Sequence, residues 1–175
     1  MQGLEQLAEE AGFDQARIAE FKQELSQNEA FATIAYVEEN GTEKPVAFYI
    51  SRRVDHILLE KRDERFHKRM DAVRKAIQEL EKKTDEELAS IVADSGNAFV
   101  LEEYRGKGVG KALYAGHEQD AKKLGYAYKI EAARAPDEEG DAQRILLKLN
   151  YIQLGELGYT GRRYNKPLHG FLKKL

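Results

Sequence analysis

The sequence predicts a layered protein of α/β or α+β class, and three observations carry that prediction. Two runs of β-forming residues flank an Asn40-Gly41 pair, the strongest short signal for a hairpin. The second half alternates strand-like and helix-like segments, the order that a sheet covered by helices requires. Helical apolar stripes occupy the beginning and the middle of the chain. With 175 residues and 42% apolar side chains, the chain can bury the core of a single domain carrying an additional helical piece.

In chain order, residues 1–28 read as two short helices. Leu4, Leu7, Ala8 and Ala11 share one helical face that Gly12 stops, and Asp14 is the N-cap of a second helix striped by Ile18, Phe21 and Leu25. Strands follow at 31–37 and 46–51, joined by a turn over 38–43. Asn40-Gly41-Thr42 fits a glycosylation sequon, and without a secretory route it reads as that turn. Over 58–83 the period changes: Phe66, Met70, Val73, Ile77 and Leu80 step by four and three along one helix face. A break at 82–85 precedes a shorter helix carrying Leu88, Ile91 and Val92 and ending near Gly96. Then come a strand at 98–102, a helix at 108–124 with Ala112, Leu113, Ala121 and Leu124 inward, and a strand at 126–132. A helix at 141–149 and strands at 151–159 and 168–175 close the chain.

Composition narrows the function. Charged residues make up 34%, mean hydropathy is -0.66, and no apolar run approaches the roughly 18 residues of a membrane span. Residues 1–10 show neither a basic start nor an apolar segment, so no secretory signal is expected, and a cytoplasmic protein is. The chain has no cysteine, which excludes disulfides, thiolate metal sites and cysteine nucleophiles. His56, His67, His117 and His169 stand in scattered contexts with no ligand spacing, so no metal is expected, and they read as surface or partly buried side chains. A pI of 5.9 argues against nucleic acid. Charge is nevertheless uneven. Residues 1–44 hold ten acids against Arg17, Lys22 and Lys44, whereas no acid follows Glu156 and Arg162, Arg163, Lys166, Lys173 and Lys174 are basic. The plain reading is a solvated surface; the functional one is a field that attracts an anion toward the C-terminal half.

The densest chemistry is the run Arg105-Gly106-Lys107-Gly108-Val109-Gly110-Lys111. Alternating glycines let backbone amides approach an anion, and the helix that begins there adds its positive end. A Walker A loop would need Gly at Arg105 and Ser or Thr at Ala112, and a dinucleotide fingerprint would need Gly at Lys111, so both fail.

What fits is the pattern Arg/Gln-x-x-Gly-x-Gly/Ala, filled by Arg105, Gly108 and Gly110. With its lead-in Val100-Leu101-Glu102-Glu103-Tyr104, the run resembles the strand–loop–helix of the GNAT superfamily of N-acetyltransferases. More loosely the resemblance extends from about residue 30 to the C-terminus, with residues 142–151 similar to the family's second helix and its exit. It implies an α+β fold in one domain over 1–175, with a mixed, mostly antiparallel central sheet and helices on both faces. Two features depart from the family: the helices at 1–28, and a helical insertion at 57–93 between the third and fourth strands.

The resemblance also implies a chemistry. Acetyl-coenzyme A would place its pyrophosphate on the amides of Arg105, Gly106, Lys107, Gly108, Val109, Gly110 and Lys111. Its pantetheine arm would bond the strand edge at Ala98, Phe99 and Val100, and an amide near Val100 would face the thioester oxygen. Glu131, on the strand where some members carry a glutamate, is the first candidate base, ahead of Asp94, Glu102 and Glu103. The tyrosine that protonates the leaving thiolate in the family is replaced by Leu146, leaving Tyr151 or Tyr164 as substitutes, and Glu139 stands about where the family has an asparagine. The expected activity is acetyl transfer to a primary amine of a protein, polyamine or small molecule. A coenzyme A binding module without turnover, and a scaffold assembled through the 57–92 helices, are the alternatives. The four-and-three stripe reads as packing this helix on its own domain, with the pairing of two copies as a homodimer the alternative.

Overall fold

The structure, a computed structural model, describes residues 2–56, 63–134, 141–160 and 166–175. In chain order its elements begin with α1 (Gln2–Glu10), α2 (Gln15–Ser26), β1 (Ala30–Glu39), β2 (Thr42–Arg52), α3 (Glu64–Ala76), α4 (Asp85–Ala89) and β3 (Val92–Ala93). They continue with β4 (Asn97–Val100), α5 (Val109–Lys123), β5 (Tyr128–Arg134), α6 (Asp141–Lys148), β6 (Ile152–Thr160) and β7 (Pro167–Lys174). The contacts gather into two units, Met1–Arg53 with Gly96–Asp120 and Val54–Ser95 with Ala121–Leu175. The class is α+β, and the strands hydrogen-bond as two sheets, β1-β2-β4 and β3-β5-β7-β6. No helix among the described residues is long and apolar enough to cross a membrane.

In the first unit the local signals act as expected. The Asp14 carboxylate accepts the Arg17 amide at 2.8 Å and starts α2. Asn40 and Gly41 both take left-handed backbone, φ 54° and 75°, as a two-residue hairpin turn requires. So tight a turn lets β1 and β2 pair all the way to Glu39 and Thr42, beyond the expected ends at 37 and 46. Along β2 the side chains alternate. Val46, Phe48 and Ile50 join Leu4, Leu7, Ala8, Ile18 and Phe21 of α1 and α2 in one core, while Ala47 and Tyr49 pack with Leu113 of α5. Helices therefore cover both faces of this sheet. Gly96 makes the approach of β4 to β2 feasible, because a Cβ there would lie 2.1 Å from the Ile50 carbonyl oxygen.

Helix α5 buries Leu113, His117 and Ala121, one turn apart, whereas Ala112 and Leu124, expected inward, are exposed. His117, read from the sequence as a surface or partly buried side chain, is fully buried between the rings of Phe31 and Tyr49, with centroids 4.4 and 4.0 Å away. Its Nδ1 lies 3.0 Å from Thr33 Oγ1 and its Nε2 2.9 Å from Ser51 Oγ. Thr33 donates its hydroxyl hydrogen to Asp120 at 2.7 Å, so it accepts from Nδ1–H, and with a neutral ring Ser51 donates to Nε2. The hydrogen-bond network thus assigns the imidazole tautomer.

In the second unit Asp63 caps α3 through the Phe66 amide at 2.9 Å. Phe66, Met70 and Val73 of the apolar stripe pack with Val54, Leu80, Leu88, Val92, Ile130 and Leu172. That face is occupied inside its own unit. The helix does not run on to residue 83: Ile77 takes extended backbone, φ -126° and ψ 103°, and a single 3-10 turn at Gln78–Leu80 keeps Leu80 in the core. Thr84 and Glu87 form a reciprocal capping box that opens α4. The helix expected to carry Ile91 and Val92 ends at Ala89, and Val92–Ala93 instead pairs in parallel with Tyr128 and Lys129 of β5. Both residues of this short strand are buried. The remaining ladders, β5 with β7 and β6 with β7, are antiparallel. Asn150, at φ 65°, closes α6 with the Tyr151 amide bonded to the Leu146 carbonyl at 3.0 Å and the Asn150 amide to Leu147 at 3.1 Å. Strand β6 ends its sheet, shifts register against β7 at Gln153–Gly155 and Glu156–Thr160, and has Gly155 and Gly158 at φ 85° and 70°.

Candidate active site

The glycine loop forms where β4 ends. A 3-10 turn over Glu102–Tyr104 leads the chain off the strand, and Gly106 and Gly108 take left-handed backbone at φ 72° and 85°. A Cβ at either position would meet nothing within 4 Å. The glycines are therefore required for their backbone angles, and the space before the loop is open. The first intrahelical bond of α5 runs from the Ala112 amide to the Gly108 carbonyl at 3.1 Å. The amides of Val109, Gly110 and Lys111 precede it, have no acceptor within their own helix, and stand at its positive end. Arg105, Lys107 and Lys111 are exposed, and among the described residues none of the three is paired with a carboxylate. Lys44 differs, lying 3.6 Å from Glu103. Tyr104 is anchored beneath the loop by hydrogen bonds with Glu39 and Lys44, and the Lys107 ammonium sits 5.6 Å from its ring centroid. The bond to Glu39 holds the Tyr104 phenol above its ordinary pKa.

The register of β4 sorts its three candidate residues. Leu101 donates to the Val46 carbonyl at 3.0 Å, and Val100 stands opposite Ala47, Phe99 opposite Phe48 and Ala98 opposite Tyr49. In an antiparallel ladder the bonded pairs alternate, so Phe99 turns its amide and carbonyl toward β2. Ala98 and Val100 turn theirs to the other edge, where β4 is the outermost strand of its sheet. The Val100 carbonyl is taken by Arg105 Nε at 3.1 Å, which leaves the Val100 amide for a ligand. The edge expected of all three residues thus belongs to Ala98 and Val100.

Glu131 belongs to the other unit. It lies on β5 opposite Phe171 of β7 and is 3% exposed. Its Oε1 lies 2.8 Å from Nζ of Lys129, which is wholly buried, and its Oε2 accepts the Ser95 hydroxyl at 3.4 Å. Ser95 in turn accepts the Ala132 amide at 3.0 Å. Sequence reasoning missed both Lys129 and Ser95. The signal for Lys129 was present, since residues two apart in a strand share a face.

The weaker candidates separate. Asp94 is buried and gripped by Arg69 through two hydrogen bonds, so it is an ion-pair partner and not a base. Glu102 and Glu103 are exposed on the turn before the loop. Leu146 is fully buried and offers no proton, and Tyr151 is buried with the Lys173 ammonium 5.5 Å from its ring centroid. Tyr164 and Glu139 lie outside the described residues, as do Arg162 and Arg163. Among the described residues no cluster of three or more His, Asp or Glu side chains is arranged to hold a metal ion.

The fold has known relatives. An aminoglycoside 6'-N-acetyltransferase complexed with coenzyme A aligns with a TM-score of 0.60 at 13% identity, covering 99% of this chain and 89% of that one. A ribosomal-protein-alanine N-acetyltransferase from Brucella melitensis aligns at 0.59 and 14% identity, over 93% and 80% of the two chains. An N-acetyltransferase from Staphylococcus aureus Mu50 aligns at 0.56 and 18% identity, over 90% and 74%. At such identities the likeness is one of fold. No curated protein matches the chain by sequence. The sequence model described as the Acetyltransferase (GNAT) family matches residues 1–151, strand, glycine loop and following helix included. The chain therefore belongs to the GNAT family of acetyltransferases.

Proposed function

We propose that the protein transfers the acetyl group of acetyl-coenzyme A to a primary amine. The observation that carries this reading is the loop itself: two left-handed glycines, three helix-start amides, and three cations that meet no carboxylate among the described residues. Such a site attracts a polyphosphate and has the open space to receive it. Acetyl-coenzyme A supplies the activated acyl group.

The chain's own residues do the rest. The amides from Gly106 to Lys111, with Arg105, Lys107 and Lys111, hold the pyrophosphate. The backbone groups of Ala98 and the Val100 amide bond the peptide-like arm and face the charge that develops on the thioester oxygen. An alkyl amine with pKa about 10.4 is neutral roughly once in 2,500 molecules at pH 7, a handicap of about 4.6 kcal/mol, so removing its proton is worth a dedicated base. Glu131 is that base in this reading. With Leu146 buried where the family has its tyrosine, the departing thiolate, of intrinsic pKa near 8.5, takes its proton from solvent.

The test is calorimetric titration with acetyl-coenzyme A, coenzyme A and ATP, followed by an amine panel of spermidine, kanamycin and a lysine peptide. Saturable binding of both coenzyme A forms but not ATP, with acetyl transfer to one amine, supports the reading. Binding without transfer to any amine makes the protein a coenzyme A binding module. Absence of binding by a folded sample removes the assignment of the loop.

A further inference from the structure

Glu131 poses an accessibility problem. Its carboxylate is 3% exposed and Lys129, on one oxygen, is wholly buried, so neither presents itself to a diffusing amine. Ser95, a polar neighbour that is half-buried, touches the other oxygen with its hydroxyl. The chemistry of that hydroxyl is constrained. It accepts the Ala132 amide at 3.0 Å with one lone pair and directs its hydrogen at Glu131 Oε2 at 3.4 Å, which leaves its second lone pair for a further donor. Ser95 also lies two residues before Asn97, where β4 begins, and thus adjoins in the chain the strand whose Ala98 and Val100 offer their backbone groups.

We infer that Ser95 relays the acceptor's proton to Glu131. The inference rests on the reading of Glu131 as base. In the step the ammonium N–H bond breaks and its proton joins Ser95 Oγ, while the original Ser95 O–H bond breaks and that proton joins Glu131 Oε2. The products are a neutral amine, an unchanged serine and a neutral carboxylic acid, with no change of oxidation state. The long Ser95–Glu131 bond shortens as charge moves, as catalytic hydrogen bonds do when substrate is present. Across the ladder Phe171 is apolar, and of its neighbours on β7, Lys173 lies over Tyr151 and His169 bonds Gln153 at 3.2 Å. From α6, which packs on β5, the buried polar side chain is Gln143, which does not titrate.

The experiment compares wild type, Ser95→Ala, Ser95→Thr and Glu131→Gln, using the fastest of spermidine, kanamycin and a lysine peptide as acceptor probe. Acetyl-coenzyme A affinity by calorimetry and the carboxylate infrared band lost in Glu131→Gln report on the intact site apart from activity. Ser95→Ala lowers kcat about 10-fold or more with acetyl-coenzyme A affinity within twofold and the infrared band retained, and Ser95→Thr, which keeps the hydroxyl, recovers kcat to within threefold. Glu131→Gln lowers kcat by about 100-fold. Wild-type kcat in Ser95→Ala, alongside a deficient Glu131→Gln, overturns the relay and leaves Glu131 as base. Wild-type kcat in both variants, or no turnover of any probe by wild type, overturns the base reading and the relay with it. A loss in Ser95→Ala that Ser95→Thr does not recover assigns the serine to the scaffold and overturns the relay.

Discussion

Arg69 grips Asp94 with two parallel hydrogen bonds, Nε to Oδ1 at 2.5 Å and Nη2 to Oδ2 at 2.6 Å, and its third arm donates to the Tyr159 hydroxyl at 2.9 Å. Burial works against the guanidinium charge, and Asp94 outweighs it, so the Arg69 pKa stands above its ordinary value. The pair ties α3 to the residue that follows β3. Removing one partner strands a buried charge. Asp94→Ala should cost about 3–5 kcal/mol in urea unfolding, and Arg69→Met with Asp94→Leu should recover at least half of it. A cost below about 1 kcal/mol would mean that water already reaches the pair.

His117 holds α5 to β1 and β2 through Thr33 and Ser51. His117→Phe preserves the stack between Phe31 and Tyr49 and removes both nitrogen partners. A loss of about 2 kcal/mol is expected, with a fall in Tm of about 4–8 °C. An unchanged Tm would show that the two hydroxyls find other partners.

Acid should weaken the α3–α4 corner. Burial opposes ionisation of Asp85, and hydrogen bonds from Arg74 and His67 outweigh it, holding the carboxyl below its ordinary range. A carboxyl depressed in the folded state stabilises above its unfolded pKa of about 3.9, and the contribution disappears as pH falls through the lower folded value. Asp85→Asn should therefore flatten the dependence of stability on pH below about pH 4. Unfolding free energies of the two proteins that fall in parallel from pH 6 to pH 2 would contradict this.

The glycine loop is tested by bulk and charge at one position. Gly108→Glu should lower acetyl-coenzyme A affinity about 100-fold, or about 2.7 kcal/mol, because it places a carboxylate before the amides. Gly125 supplies the control, being left-handed at φ 94° with nothing within 4 Å of its Cβ. Gly125→Glu carries a similar backbone penalty of about 1–2 kcal/mol and should leave affinity intact. Equal losses in both would trace the effect to folding.

Local chemistry was legible in the sequence. The Asp14 cap, the Asn40-Gly41 hairpin and the break before α4 depend on residues a few positions apart, and the folded chain uses them as read, while Gly106 and Gly108 of the glycine loop take left-handed backbone. What escaped depends on distant partners. His117 is buried because Thr33 and Ser51, 84 and 66 residues away, meet its two nitrogens. Val92 became strand because β5 runs beside it, a pairing that no local pattern encodes. The glutamate at 131 was picked out by resemblance, whereas Ser95, 36 residues away, became visible only through its hydrogen bond.

Strand β6 has a consequence for the protein's behaviour in concentrated solution. As the last strand of its sheet it carries the feature that most often templates fibres, a row of unsatisfied backbone groups, and its Ile152 is 56% exposed. Its two register shifts and left-handed Gly155 and Gly158 break that row, and Lys68 Nζ covers the Gly158 carbonyl at 2.9 Å. An incoming strand would find the spacing irregular and a cation in its path. The edge is thereby guarded against amyloid-like stacking, and the lysine is the guard that a single substitution can dismiss.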